Sequence, residues 1–123
     1  MKLQLDFNSN NTYQIQRFDF ESVTINDKVY FNNIIVMPDY LNEWAVDSFD
    51  GLDVTHFEQL RAVNPEVVLL GTGKNIRFPS NELLIPLINA GIGVEVMDTA
   101  AAIRTYMVLS AEGRKVAAAL LFK

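Results

Sequence analysis

Three short groups of residues hold the chemistry this chain could perform: Gly71-Thr72-Gly73, Asp98-Thr99 and Arg104-Thr105. Gly71-Thr72-Gly73-Lys74 suggests a loop that cradles phosphate. The phosphate-loop pattern needs a glycine five residues before its Gly-Lys pair and a Ser or Thr after the lysine. Val68 and Asn75 stand at those positions. A dinucleotide-binding loop needs a third glycine three residues after the second, and that position is Ile76. Asp98 ends the next apolar run, where a ribose-binding carboxylate would sit. The helix expected after Gly73 starts too late to aim its N-terminus at a phosphate there. A tight turn that needs glycine's backbone freedom is the simpler account, and nucleotide binding is the alternative.

Asp98-Thr99 precedes a helical stretch. Such a pair can orient a ligand at a helix N-terminus, where N–H groups and the dipole gather, or simply cap the helix. Arg104 is expected mid-helix with Ala100, Ala101, Ile103, Met107 and Val108 around it. That places a guanidinium inside a packed layer, where an unpaired charge costs several kcal/mol. Glu112, Asp98 and Glu95 are the candidate partners for an ion pair locking helix to strand. The other role for Arg104 is anion binding at a pocket mouth, since guanidinium suits carboxylates and phosphates. Thr105 and Tyr106 can add hydroxyls to the same pocket or satisfy backbone and fill core.

Many chemistries are excluded. The chain has no cysteine, so thiol catalysis, disulfides and thiolate metal sites are absent. His56 is the single histidine and is expected on a surface helix. No Gly-x-Ser-x-Gly elbow occurs. Asp47, Asp50, Asp53 and His56 recur at every third position, a spacing that does not match a calcium loop; a solvated acidic loop is expected, and no metal. A carboxylate pair for acid–base work stays open. Among 123 residues the net charge is −5 and the ten basic residues are scattered, which argues against nucleic acid. Residues 116–122 form the longest apolar run, far short of the roughly 20 residues that span a bilayer, so no direct membrane insertion is expected. The N-terminus lacks the apolar run of a signal peptide, and a cytoplasmic location is the default.

The elements that must position these residues are legible as periodicities. Leu3, Leu5 and Phe7 alternate, then Asn8, Ser9, Asn10 and Asn11 read as a turn. Val23 and Ile25, then Val29 and Phe31, alternate on either side of Asn26-Asp27, which predicts a tight hairpin. Residues 34–37 predict an inner strand stopped by Pro38. A long acidic connection follows over 39–54, in which 43–46 can be a strand with Trp44 on the core. Thr55 and Glu58 fit a capping box for a short helix that ends before Pro65. Strands are predicted over 67–70, 94–97 and 116–122. Ser80 is expected to cap a helix whose Leu83, Leu84, Leu87 and Ile88 share a face, with Gly91 closing it. The last helix runs from Asp98 or Thr99 to about Leu109 and is read as buried. Residues 117–119, all alanine, suit a helix by propensity; a strand is preferred because Gly113 breaks the chain before them. Together these predict an α/β fold over a single domain, residues 1–123, with a mixed sheet, helices on one face and antiparallel N-terminal strands on the other.

The ordered string Leu69-Leu70-Gly71-Thr72-Gly73, Gly91-Ile92-Gly93-Val94-Glu95-Val96-Met97-Asp98-Thr99, Arg104-Thr105-Tyr106 and Glu112-Gly113-Arg114 resembles a known family. That family includes the mitochondrial complex I assembly factor 3 and the adipogenesis-associated domain protein, with bacterial and archaeal members of unassigned function. The resemblance covers about residues 29–121. It implies a three-layer β/β/α fold with a mixed central sheet and no established enzyme activity. For the mitochondrial member it implies a role in assembling a membrane respiratory complex through protein contacts. The family carries Asn after its Thr-Tyr pair, and here Met107 stands there, so any contact made by that Asn is missing. The expectation is therefore a non-enzymatic interaction protein, an assembly factor for a respiratory or membrane protein complex. Its partner would be a subunit of that complex, and a homo-oligomer is compatible with the sequence. The alternative is a binder of a small anionic ligand or nucleotide, or an enzyme, with a pocket near Gly71, Thr72, Gly73, Asp98, Thr99, Arg104 and Thr105. No cofactor is expected.

Overall fold

A computed structural model describes residues 12–123. The alternation of Leu3, Leu5 and Phe7 and the turn after it lie outside the described residues. Strands β1 (Ile15–Phe18), β2 (Val23–Ile25) and β3 (Lys28–Tyr30) form an antiparallel sheet in that order. The β2–β3 connection is the two-residue turn predicted at Asn26-Asp27. Both residues take positive φ, 49° and 70°, the mirror-image turn whose twist matches the strands.

The second sheet contains β4 (Ile34–Met37), β5 (Tyr40–Glu43), β6 (Val67–Gly71), β7 (Gly93–Met97) and β8 (Val116–Leu120). Its order is β5-β4-β8-β6-β7. β6 runs parallel to both β7 and β8, while β4 is antiparallel to β8 and β5. The sheet is mixed, as expected. Helices α1 (Val54–Ala62), α2 (Asn81–Asn89) and α3 (Thr99–Ala111) flank it.

β8 is the middle strand, and all five of its residues are buried. This resolves the competition between alanine's helical propensity and a strand. A central strand buried on both faces reads as a continuous apolar run. Its alternate residues serve two cores. Ala117 and Ala119 join Phe57, Leu60, Leu87 and Trp44 under α1 and α2. Val116, Ala118 and Leu120 join Ala102, Ile103, Tyr106 and the small sheet's Ile15, Val23 and Ile25.

The three-layer class holds, but α3 is not with the other helices. It shares the face of the antiparallel N-terminal strands. Chain direction explains this. From β6 the chain passes through α2 to β7, its neighbour on one side. From β7 it returns through α3 past β6 to β8, on the other side. Both crossovers join parallel strands, and such connections are right-handed almost without exception. Reversing the lateral direction therefore puts the second helix on the opposite face.

Two local expectations change. The strand after Pro38 is Tyr40–Glu43 rather than 43–46, because Met37 and Tyr40 close a hairpin; Trp44 is buried just beyond it. The N-cap of α1 is Asp53, not Thr55. Its carboxylate accepts from Thr55 N at 2.9 Å, and its own N–H donates to His56 Nδ1 at 3.0 Å. His56 Nε2 lies 3.1 Å from the Ala45 carbonyl, to which it donates. The imidazole thus does the reciprocal work expected of Glu58, which instead pairs with Arg61 at 2.9 Å. Gly91, with φ +73°, closes α2 as predicted, its N–H donating to Ile88 and that of Ile92 to Leu87. Among the described residues, no helix is long and apolar enough to cross a membrane.

Candidate functional site

The carboxyl ends of the three parallel strands meet at Gly71, Met97 and Leu120. Here the sequence motifs converge. Gly71 ends β6 against the first turn of α3. A Cβ built on it would stand 3.0 Å from both Thr99 Cα and Thr99 Oγ1, and 3.2 Å from Ala102 Cβ. Glycine at 71 is thus required by close approach of backbones.

Thr99 is buried and fully committed. Its hydroxyl donates to the Leu121 carbonyl at 2.7 Å and accepts from Gly73 N at 2.8 Å. Its N–H donates to the Gly73 carbonyl at 2.9 Å. One side chain thereby staples the ends of β6 and β8 to the start of α3. Thr72 does the same for the loop: its hydroxyl donates to the Asn75 carbonyl at 2.8 Å and accepts from Arg77 N at 3.0 Å. Asp98 caps α3, accepting from Ala101 N at 2.8 Å. Thr105 donates to the Ala101 carbonyl at 2.8 Å.

Gly73, Asp98, Thr99 and Arg104 line one cleft of about 430 Å³, together with Lys74. Gly71, Thr72 and Thr105 do not line it. Phe18, Asp19 and Phe20, from the end of β1 and the turn after it, form the wall facing those residues. The aromatic wall was invisible in the motifs because it is contributed from more than fifty positions away. Phe20 and Lys74 touch: the ammonium lies 5.3 Å from the ring centroid. The Gly73 N–H that a phosphate would require is taken by Thr99, which adds a geometric reason to the sequence reasons against a phosphate loop.

Arg104 is a correction. It is exposed on α3 and forms no ion pair with any described residue, so the internal lock with Glu112, Asp98 or Glu95 is not made. The helix is buried only along Thr99, Ala102, Ile103 and Tyr106. Arg104, Met107, Val108 and Ala111 line its outer side. Of the apolar residues around position 104, Met107 and Val108 face solvent as well, so an apolar neighbourhood in sequence is not a buried one here. Tyr106, by contrast, is buried, and its hydroxyl donates to the Tyr13 carbonyl at 3.0 Å. Burial, with a smaller contribution from the Asp39 charge, pushes its phenol well above the ordinary value. Arg114 pairs with Glu66 at 3.3 Å rather than with Glu112. The acidic run before α1 is likewise divided: Asp50 pairs with Arg77 at 2.7 Å while Asp53 caps α1. No cluster of metal-ligating side chains occurs among the described residues.

The fold and site together define a three-layer α/β protein with a cleft at the carboxyl edge of a mixed sheet. The chain belongs to the family described as protein of unknown function (DUF498/DUF598), whose model matches residues 15–121. It is 36% identical over 99 residues to the zebrafish (Danio rerio) NADH dehydrogenase [ubiquinone] 1 alpha subcomplex assembly factor 3, covering 79% of this chain and 57% of that protein. It is 30% identical over 76 residues to the 13 kDa major membrane protein of Francisella tularensis, covering 62% of each. The chain thus spans less than two-thirds of the length of these relatives. A solved structure from Xanthomonas campestris is similar at a TM-score of 0.81 and 40% identity, covering 92% of this chain and 86% of that one.

Proposed function

We propose that this protein is a non-enzymatic docking factor that holds a subunit of a respiratory-type membrane complex during assembly, working from the cytoplasm. The observation that supports it is the outer face of α2. Leu83, Leu84, Ile85, Pro86, Leu87 and Ile88 are apolar in succession. Leu83, Leu84 and Leu87 pack against the core. Ile85 and Ile88, one turn apart, are left exposed, and the segment leading into the helix adds exposed Ile76 and Phe78, the last 72% accessible. Residues three apart on a helix are surface neighbours, and exposed apolar neighbours are the kind of surface a protein interface uses. The zebrafish relative's role as an assembly factor supplies the kind of partner. The engagement of Thr72, Thr99 and His56 in backbone bonds also favours docking over bond-making.

The test is affinity capture from host membranes with the native chain and with the Ile85→Glu/Ile88→Glu variant. A membrane-complex subunit recovered by the native chain and reduced about tenfold or more by the variant, at equal thermal stability, is expected. Recovery of a second copy of this chain alone, or of the same subunit equally by both proteins, would overturn the proposal.

A further inference from the structure

The cleft at the carboxyl edge has a chemistry of its own, independent of the α2 surface. It is lined by the loops that leave β6 and β7 on one side and by residues 18–20 on the other. The β6 loop leads to α2 on one face of the sheet and the β7 loop to α3 on the other. Thr99 ties the two loops together at Gly73, so the cleft opens between them and residues 18–20, still beyond the carboxyl ends of the strands, where open α/β sheets bind ligands. Its volume of about 430 Å³ falls in the range of roughly 300–1,000 Å³ found for small-molecule sites.

We infer that this cleft binds a small organic carboxylate with an apolar body, its charge met by Lys74 and Arg104 and its body laid on Phe18 and Phe20. The polar groups around it divide into committed and uncommitted. The Asp98 carboxylate holds the first turn of α3. The Asp19 carboxylate holds its own turn, accepting from Glu21 N at 2.8 Å and Ser22 N at 2.9 Å. The Thr99 hydroxyl is used in both directions. The Lys74 ammonium and the Arg104 guanidinium, in contrast, pair with no carboxylate of the described residues. Phe20 is 65% exposed; the Lys74 ammonium lies 5.3 Å from its ring centroid, and the aromatic surface left open beside it is what a ligand would cover. The space beside the Gly73 Cα is open, with nothing within 4 Å of the position a Cβ would take, while its N–H and carbonyl stay bonded to Thr99.

The charge count selects the ligand. Two cations face two carboxylates, so the cleft has no net charge to hold a polyphosphate. A single carboxylate can be met by a bidentate guanidinium and an ammonium. The remaining affinity then comes from apolar area removed from water.

The full chain titrated with phenylacetate and with octanoate, followed by backbone amide resonances, tests this. Phenylacetamide serves as the neutral isostere and inorganic phosphate as the anion without a body. Either carboxylate should shift the amides of Phe20, Gly73 and Ala100 saturably, with a Kd of about 1 mM or tighter. The amide and phosphate should bind about tenfold more weakly, and Lys74→Gln/Arg104→Gln should weaken the carboxylates about tenfold without changing the thermal midpoint. No saturable shift with either carboxylate, equal binding of phenylacetamide or phosphate, or binding indifferent to the double substitution would each overturn the inference.

Discussion

Gly71 and Thr99 show how little room the strand ends leave. Thr99 presents its Cα and its hydroxyl oxygen at 3.0 Å from where a Cβ on residue 71 would fall. The Cα is backbone at the start of a helix and cannot rotate aside. Gly71→Ala should therefore destabilise by about 1–3 kcal/mol through overpacking, read as a lower urea midpoint at unchanged slope. An unchanged midpoint would mean that α3 can withdraw from β6 without penalty. Gly73, by contrast, has φ +101° and open space around it, so its requirement is conformational. Two glycines two positions apart thus do different work, and the Gly-Thr-Gly pattern looks like a ligand loop only because both needs fall together. Sequence did identify the turn, and it narrowed the α3 cap to Asp98 or Thr99, of which Asp98 takes the role. It misread Arg104, because apolar residues nearby in sequence do not mean an apolar surrounding in space on a helix with one buried stripe.

At the scale of elements, β8 decides the packing. Its three alanines are fully buried at the middle of the sheet, with Ala118 on the side of Ala102, Ile103 and Tyr106. Small residues there let α3 lie close to the sheet. Ala118→Leu adds three heavy atoms at a fully buried position and should cost about 1–3 kcal/mol; thermal unfolding would show it, and a neutral result would show slack between α3 and β8. The two-residue hairpin at Asn26-Asp27, the Gly91 stop and the end of α1 before Pro65 were legible because each depends on residues within a few positions. The α1 cap was not. Both Asp53 with His56 and Thr55 with Glu58 have the three-residue spacing of a capping box, and the choice fell to the first pair because the imidazole also reaches Ala45, eleven residues upstream.

For the whole molecule, Tyr106 joins the two ends of the chain. Its hydroxyl on α3 holds the Tyr13 carbonyl beside β1, 93 positions away. Burial raises its phenol pKa above the ordinary 10.0. The folded state therefore keeps a proton that the unfolded chain releases above pH 10.0. Its contribution is intact below that pH and is lost as pH climbs toward the folded value. Stability should fall as pH rises above 10.0, and Tyr106→Phe should flatten that fall while costing about 1 kcal/mol at neutral pH. Urea midpoints across that range would check both, and an equal alkaline fall in the variant would clear Tyr106 of the effect. The same long-range closure separates what could be read along the chain from what could not. Turns, helix ends and the apolar strands follow from neighbours in sequence. The side of the sheet taken by α3, the solvent exposure of Arg104 and the meeting of Phe20 with Lys74 depend on a crossover that reverses direction and on contacts between residues fifty or more positions apart. No local preference records them, because they are set by which faces must be buried together once the strands have paired.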